Sequence, residues 1–330
     1  MAEILGIHHV TAIAGEPQQN VDFYAGLMGL RLVKLTVNYD DPETYHLYFG
    51  DELGHPGTIL TFFPWPGAPR GVKGTGQATT TSFSIPLGSV GYWAERLRGA
   101  GVRLEGPFVR FGDRAISFTD PDGLNLELVE QPPGAETRRG WDRGPVPQEH
   151  SIRGLFGVTL SEEGYERTAS LVVETLGFRP VGQEADRFRY QVGGGGGGAP
   201  GATVDVLCQP EAQAGFVGVG TVHHVAWRTP TDEAQREWRR ELVKRRMNVT
   251  PVIDRRYFRS IYFREPGGVL FEIATDPPGF TVDESADELG TRLMLLPQLE
   301  EMRTALVEAL PRLELPKGSS AKAGWRQSSS

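Results

Sequence analysis

Two pairs of adjacent histidines occur at equivalent places in this 330-residue chain. His8 and His9 stand in the run GIHHVTA, and His223 and His224 stand in the run TVHHVAW. Both runs are apolar and β-branched, as in buried strands, and adjacent strand residues point to opposite faces. We therefore expect one histidine of each pair to face a shared cavity while its neighbour supports it from behind.

A single carboxylate, Glu272, lies inside a third apolar run, VLFEI. Burying an unpaired carboxylate is costly, so Glu272 needs a cation. Two imidazoles and one carboxylate with open positions are the ligand set typical of ferrous iron or a similar divalent metal. A lone buried histidine is more often a hydrogen-bonded core residue. Two pairs at the same point of a repeat, with a buried glutamate available, favour a metal site.

The elements that position these residues form an internal repeat. Each of four copies reads as strand, helix and three strands, a βαβββ module. Residues 116–127 align without a gap on residues 261–272, and residues 154–159 align on residues 6–11. The predicted class is therefore α+β, with four βαβββ modules forming two domains and a C-terminal helical extension.

The composition also suggests boundaries between these parts. We predict a first domain of two modules at 1–130, a linker rich in proline, glycine and charge at 131–150, a second domain of two modules at 151–276, an extension at 277–316 and a disordered tail at 317–330. Pro297 is a candidate start for a helix in the extension. The glycine run 193–198 lacks the ending of a phosphate-binding loop and predicts an exposed loop.

Pairing of the modules decides where a metal could sit. If modules one and four pair, and two and three pair, each pair of modules encloses one cavity, which we call a cup. The first cup then contains His9, His224 and Glu272. The second cup then holds Glu127 without a histidine, so we expect Glu127 to face solvent or meet an arginine, and only one cup to hold a metal. At the histidine position the second module has Thr81, Ser82 and Phe83, and the third has Phe156 and Gly157.

Composition excludes several classes of function. The net charge of −8 without a basic run argues against nucleic acid as a partner. The sequence contains no run of roughly 18 apolar residues, so it predicts no membrane-spanning helix. A single cysteine, Cys208, cannot build a disulfide framework, and the N-terminus lacks the features of a signal peptide, so we expect the cytoplasm. Self-association stays open.

Several further motifs resemble a known family. The most specific is YHLYFGDELG at 45–54, followed by PGT at 56–58; Glu149 with His150 and the run PGGV at 266–269 agree with it. Together they resemble the vicinal oxygen chelate superfamily, whose βαβββ modules form metal-holding cups. Within it, the chain is similar to extradiol dioxygenases of the hydroquinone and chlorohydroquinone type, over roughly residues 5–294.

The resemblance implies a ligand set and its support. It implies that the second histidine of each pair, His9 and His224, binds the metal together with Glu272. His8 and His223 would then stand behind the ligands. Fe(II) is the expected metal, with Mn(II) as an alternative.

The resemblance also implies two pocket residues, Tyr262 and Arg255. The alternatives are a Tyr262 that only packs in the cup wall and an Arg255 that pairs on the surface. Tyr262 and His223 could serve as general acids. His46 belongs to the most specific motif, but the sequence does not say whether it reaches the pocket.

The implied function is ring cleavage of a hydroquinone or catechol by dioxygen. The ring supplies the electrons, which agrees with the lack of a GxGxxG motif for a nicotinamide or flavin. One alternative is a metal-dependent isomerase or lyase of glyoxalase type, which needs a further carboxylate or glutamine ligand that residues 60–62 do not offer. The other is a non-catalytic protein that sequesters an aromatic compound, whose relatives lack the two histidines and the glutamate.

Overall fold

The four modules are four groups of strands, each with one helix after its first strand, in a computed structural model that describes residues 2–134, 138–192 and 201–316. Modules one and two contain β1 (Ile7–Ala14), β2 (Arg31–Asn38), β3 (Asp41–Gly50), β4 (Ile59–Pro64), β5 (Gln77–Pro86), β6 (Leu104–Arg110), β7 (Asp113–Thr119) and β8 (Asn125–Gln131). Modules three and four contain β9 (Gly154–Glu162), β10 (Phe178–Glu184), β11 (Arg187–Val192), β12 (Thr203–Cys208), β13 (Val222–Thr229), β14 (Ile253–Asp254), β15 (Arg259–Arg264) and β16 (Leu270–Thr275). This confirms the predicted module pattern.

The helices follow the predicted apolar stripes, with one difference. They are α1 (Pro17–Val21), α2 (Val90–Gly99), α3 (Glu166–Ser170), α4 (Asp232–Lys244) and α5 (Arg303–Ala309). In modules one and three the short α-helix continues as a π-helix, at Asp22–Leu27 and Leu171–Thr175. Among the described residues, no helix has the length and apolar character needed to cross a membrane.

The strands form two eight-stranded sheets, and each sheet combines two modules. One has the order β14-β15-β16-β13-β1-β4-β3-β2, which joins modules one and four. The other has the order β10-β11-β12-β9-β5-β8-β7-β6, which joins modules two and three. The expected pairing of modules is therefore confirmed. Each sheet takes four strands from residues 7–131 and four from residues 154–275.

The two histidine strands, β1 and β13, are antiparallel neighbours at the centre of the first sheet. Their pairing is interrupted at two places, where His8 on β1 and His223 on β13 are extra residues. A bulge of this kind bends a strand and re-aims its side chains. Strict alternation therefore does not hold within the pairs: the two rings of each pair lie in edge contact, with centroids 5.1 Å apart in both.

The C-terminal extension lies against the outer strands of module one. It contains a 3-10 turn at Phe280–Val282 and a second at Pro297–Met302 that leads into α5, so the predicted helix does begin at Pro297 but its first part is 3-10. Tyr45 donates a hydrogen bond to the Pro311 carbonyl at 2.9 Å, and the Met294 amide donates to the Leu35 carbonyl at 2.9 Å. The predicted tail 317–330 and the glycine run 193–198 lie outside the described residues.

Candidate metal centre

The first sheet brings His9, His224 and Glu272 together at one point. The Nε2 atoms of His9 and His224 lie 3.3 Å and 2.9 Å from Glu272 Oε2, and 3.3 Å from each other. All three side chains are buried, and their ligand atoms lie within 4.8 Å of one another. Among the residues that the structure describes, no other group of three or more His, Cys, Asp or Glu side chains could hold a metal ion.

Strand order explains this convergence. β13 lies between β1 and β16, antiparallel to the first and parallel to the second. Thr11 pairs with His224 across one side, and Ala226 pairs with Glu272 across the other. Because neighbouring strands lie about 4.8 Å apart, side chains from three adjacent strands can meet over the inner face of a curled sheet.

The donor set fits a divalent metal. Glu272 is fully buried, and Ser260 Oγ donates a hydrogen bond to its Oε1. The other carboxylate oxygen, Oε2, has no hydrogen-bond donor in the part of the chain that the structure describes, although both imidazole Nε2 atoms face it. A buried carboxylate oxygen without a donor needs a cation, and a metal ion between the two imidazoles and Oε2 would supply it.

The charge states at the site suit metal binding. Burial raises the pKa of Glu272, but the imidazoles of His9 and His224 outweigh this and hold the pKa well below its usual range. Burial lowers the pKa of His224, so this ring is neutral near pH 7 and retains a lone pair. An ionised carboxylate and a neutral imidazole are the forms that bind a metal.

Each candidate ligand is supported by the other histidine of its pair. His8 Nδ1 lies 2.9 Å from His9 Nδ1, and His223 Nδ1 lies 2.8 Å from His224 Nδ1. If the ligand ring donates from Nδ1 in both pairs, each Nε2 keeps its lone pair for the metal. A hydrogen bond of this kind fixes the tautomer and the orientation of a metal ligand.

The two supporting histidines differ in position. His8 is buried against Phe258, with ring centroids 5.0 Å apart, and is not part of the cavity wall. His223 lies on the cavity wall, so the expected position behind its neighbour holds for His8 alone. Burial, followed by the neighbouring His224, lowers the pKa of His223 to about 3. His223 is therefore a neutral hydrogen-bonding group near pH 7.

The two metal-facing histidines open onto a cavity of about 390 Å³. Volumes of this order accommodate small ligands. Six of its lining residues are aromatic: Tyr39, Tyr48, Phe63, Trp65, Phe258 and Tyr262. A flat, apolar wall beside a charged metal-binding corner suits an aromatic ring that carries a polar substituent.

Tyr262 and Arg255 both lie on this cavity wall. Arg255 Nε donates a hydrogen bond to the Tyr262 hydroxyl at 3.2 Å, and Arg255 Nη1 pairs with Asp40 Oδ2 at 2.9 Å. Burial, followed by the charge of Glu272, raises the pKa of Tyr262. The hydroxyl therefore keeps its proton near neutral pH. Arg255 pairs at the surface, as one alternative proposed, and contacts the pocket tyrosine as well.

His46 reaches the cavity, which sequence reasoning left open. Its Nε2 lies 2.9 Å from Thr61 Oγ1 and its Nδ1 lies 2.8 Å from the Tyr48 hydroxyl. Burial lowers the pKa of His46 well below its usual range, so the ring is neutral. The spacing in YHLYFG places His46 and Tyr48 on the same face of a strand, a signal that could have identified both. Asp40 gave no such signal.

The second sheet has pairs of arginine and carboxylate side chains in place of the two histidines and the glutamate. Glu127 accepts hydrogen bonds from Arg110 Nη1 at 2.8 and 3.1 Å and from Ser82 Oγ at 2.9 Å. Arg189 makes two further bonds to Asp205, at 2.7 and 3.0 Å. The expectation that Glu127 meets an arginine is confirmed.

One sequence comparison needs a correction. Ala226 pairs with Glu272, and Ser82 pairs with Glu127, so Ser82 is the counterpart of Ala226. The residues at the positions of His223 and His224 are therefore Thr79 and Thr80, and not residues 81–83. Thr79 is an extra residue of β5, as His223 is of β13, so the bulge itself recurs between the sheets. The conclusion that module two offers no histidine there is unchanged.

Comparison with known proteins agrees with this architecture. A family model described as "Glyoxalase/Bleomycin resistance protein/Dioxygenase superfamily" matches residues 6–128 and 155–273. MhqO of Bacillus subtilis (strain 168), which is named as a ring-cleaving dioxygenase, is 48% identical over 311 residues, covering 94% of this chain and 97% of that protein. A chlorohydroquinone/hydroquinone 1,2-dioxygenase of Sphingobium indicum is 36% identical over 313 residues, covering 92% of this chain and 95% of that protein.

A solved structure supports the same assignment. A crystal structure from Bacillus subtilis subsp. subtilis str. 168, named as a dioxygenase, has a TM-score of 0.90 and 47% identity, and the match covers 96% of this chain and all of that one. These relatives confirm the expectation that the protein is a dioxygenase of the ring-cleaving class. The chain belongs to the glyoxalase, bleomycin resistance protein and dioxygenase superfamily.

Proposed function

We propose that this protein cleaves the ring of a hydroquinone or a catechol, using Fe(II) held by His9, His224 and Glu272, with Mn(II) as the alternative metal. The observation that carries the proposal is the convergence of two imidazole nitrogens and one carboxylate oxygen on one point beside an aromatic cavity. The chlorohydroquinone/hydroquinone activity named for the Sphingobium relative supports a dihydroxyarene substrate.

When bound, the ferrous ion would supply open positions at which a substrate hydroxyl and dioxygen are held in contact, and a path for electrons from the ring. The protein's own contribution is to position the reactants. The aromatic wall orients the ring and excludes water from the metal corner. The hydrogen bonds that His9 and His224 donate from Nδ1 to His8 and His223 fix the two ligand rings.

Tyr262 is the proposed general acid. Its oxygen accepts the hydrogen bond from Arg255 Nε, so its own proton is directed away from Arg255. Its ring also lies at the edge of the His224 ring, with centroids 5.7 Å apart, which places it beside the metal corner. His223, on the same wall, can exchange a hydrogen bond with a bound hydroxyl because its ring is neutral.

The position that a glyoxalase-type enzyme would need argues against that alternative. Thr61 pairs with Thr11 on β1 as Glu272 pairs with Ala226 on β13, so Thr61 is the counterpart of Glu272 in module one. Its hydroxyl lies 2.9 Å from Thr11 Oγ1 and 2.9 Å from His46 Nε2. A hydroxyl engaged in this way does not provide the further carboxylate or amide ligand. The intact histidine and glutamate set also argues against a protein that only sequesters an aromatic compound.

An oxygen-uptake experiment tests the proposal. Protein purified without air and reconstituted with Fe(II) is mixed with hydroquinone or catechol in an oxygen electrode, without added reductant. We expect equal amounts of dioxygen and substrate to be consumed and a ring-opened acid to form, while methylglyoxal with a thiol does not react. Isomerase activity without oxygen uptake would replace the proposal with the glyoxalase alternative. Tight aromatic binding without either reaction would favour sequestration.

A further inference from the structure

We propose that Asp40 is a positioning residue that holds Arg255, and through it orients the hydroxyl of Tyr262 toward the cavity. This inference rests on the proposed function, in which Tyr262 is the proton donor. Asp40 does not touch the metal ligands, and nothing in the sequence distinguishes it from its neighbour Asp41. The geometry of the first sheet distinguishes them.

Asp40 and Arg255 come from opposite edges of the first sheet. Asp40 lies in the turn between β2 and β3, and Arg255 directly follows β14. β14 and β2 are the first and last strands of this eight-stranded sheet. The ion pair between Asp40 Oδ2 and Arg255 Nη1, at 2.9 Å, therefore joins the two edges across the mouth of the cup. Both residues line the cavity.

The backbone at Arg255 is already fixed, so its side chain is the movable part. The Arg255 amide donates to the Phe258 carbonyl at 2.9 Å, and the Tyr257 amide donates to the Arg255 carbonyl at 2.8 Å. The guanidinium donates hydrogen bonds to Tyr262 and Asp40. Because the guanidinium is planar and rigid, holding Nη1 also sets the direction of Nε.

The direction of Nε sets the direction of the Tyr262 proton. A phenolic oxygen that accepts a hydrogen bond on one side directs its own O–H elsewhere. Here the donor is Arg255 Nε, and Tyr262 lies on the cavity wall. The Asp40 side chain is 71% exposed whereas that of Arg255 is 19% exposed. An ion pair with so exposed a partner adds little to stability, and its effect is one of orientation.

The first test compares Asp40→Ala and Asp40→Asn with Asp41→Ala in the Fe(II)-loaded enzyme. Asp41 is the matched control because its carboxylate accepts a hydrogen bond from Thr44, on the same hairpin, at 2.8 Å. We expect Asp40→Ala to lower kcat by about 10-fold, a fraction of the benefit from general acid catalysis, with KM unchanged. Asp40→Asn should lie between, because its amide oxygen still accepts from Nη1. Asp41→Ala should match the wild type.

A double variant separates positioning from a general effect at the mouth. If Asp40 acts through Tyr262, adding Asp40→Ala to Tyr262→Phe should cause no further loss of kcat. An additional 10-fold loss in the double variant would contradict the inference. Wild-type turnover in Asp40→Ala, or an equal loss in Asp41→Ala, would also contradict it.

A second readout does not depend on turnover. In full-length protein loaded with diamagnetic Zn(II), the Nε–H signal of Arg255 can be assigned by its disappearance in Arg255→Lys. We expect this signal to be ordered in the wild type and in Asp41→Ala, and mobile in Asp40→Ala. An equally ordered signal in Asp40→Ala would overturn the inference. If the wild type oxidises no dihydroxyarene, the proposed function fails, while the nuclear magnetic resonance result still decides whether Asp40 holds Arg255.

Discussion

At the residue scale, Tyr262 links the metal corner to the aromatic part of the cavity. It lies opposite Glu272 on the adjacent strand, and its hydroxyl is bonded to Arg255. The equivalent residue in the second sheet is Ser117, opposite Glu127. The first sheet, which holds the candidate metal ligands, therefore has a tyrosine where the second sheet has a serine. This difference agrees with a chemical role for the Tyr262 hydroxyl.

Replacing Tyr262 tests that role. We expect Tyr262→Phe to keep its metal and to lower turnover by about 10² to 10⁴, the usual contribution of a general acid. The ring is retained, so packing against His224 is preserved. Tyr92→Phe is a matched control, because the Tyr92 ring stacks on His150 outside the cavity wall. Unchanged turnover in Tyr262→Phe would make this tyrosine a packing residue.

The metal ligands can be tested separately from catalysis. We expect His224→Ala to lose its metal, because only two of the three ligands remain. Glu127→Ala should retain one metal per chain, because Glu127 is hydrogen-bonded to Arg110 and Ser82 and is not a proposed ligand. Metal analysis of both variants checks this. Two metals per chain in the wild type, or full retention in His224→Ala, would refute the assignment of a single site to the first cup.

At the element scale, the sequence predicted the strands and their pairing well. Gapless alignment of modules two and four revealed a homologous pair, and apolar periodicity identified the strands. The bulges at His8 and His223 could not be predicted, because each is a one-residue shift between strands about 215 positions apart and leaves the local pattern unchanged. The role of Asp40 was hidden for a similar reason: its partner lies at the opposite edge of the sheet.

The C-terminal extension is joined to module one through a buried lysine. Lys34 on β2 is fully buried and pairs with Glu284 and, at 2.7 Å, with Asp283. Asp283 also accepts a hydrogen bond from the Tyr257 hydroxyl at 3.2 Å, so it connects β2 to the segment after β14. The extension therefore ties together the two edge strands below the mouth of the cup.

Removing this lysine should be costly. We expect Lys34→Met to lower the free energy of unfolding by about 3–5 kcal/mol, because the buried Glu284 loses its closest cation and is left with Arg292 at 3.8 Å. Arg236→Met is the control, since its pair with Glu233 is exposed and its loss should change stability by less than about 0.5 kcal/mol. Denaturant unfolding of both variants measures the difference. A Lys34→Met midpoint equal to that of the control would show that the extension is held by its apolar contacts.

At the scale of the whole molecule, one repeat has produced two sheets of the same topology with different inner faces. The first holds the candidate metal ligands, and the second holds paired arginines and carboxylates. The sequence predicted this asymmetry because it depends on residue type at aligned positions. It did not predict the contact between the sheets, which depends on loop geometry that no periodic pattern encodes.

Two buried carboxylates meet at that contact. Glu162 ends β9 of the second sheet, and Glu265 lies in the turn between β15 and β16 of the first. Glu265 is satisfied by Thr168 Oγ1 at 2.7 Å and by the Val269 amide at 2.9 Å. Among the described residues, neither carboxylate oxygen of Glu162 has a hydrogen-bond donor. Burial, then the charge of Glu265, raises the pKa of Glu162 to about 8 against the weaker opposing effect of Arg167.

This arrangement predicts a stability that falls as pH rises. Between the ordinary glutamate pKa near 4.5 and the raised value near 8, the folded protein binds a proton at Glu162 that the unfolded chain has lost. Stability decreases with pH wherever the folded state binds more protons, so we expect a loss of about 2–4 kcal/mol between pH 5 and pH 8.

Glu162→Gln carries a neutral side chain of the same shape and should remove most of this loss, making the variant more stable than the wild type at pH 8. Glu163→Gln, at the next and exposed position, should follow the wild-type curve. If the free energies of unfolding of the wild type and Glu162→Gln changed with pH in the same way, other groups would satisfy the pair of Glu162 and Glu265. Ionisation of Glu162 would then not weaken the contact between the sheets.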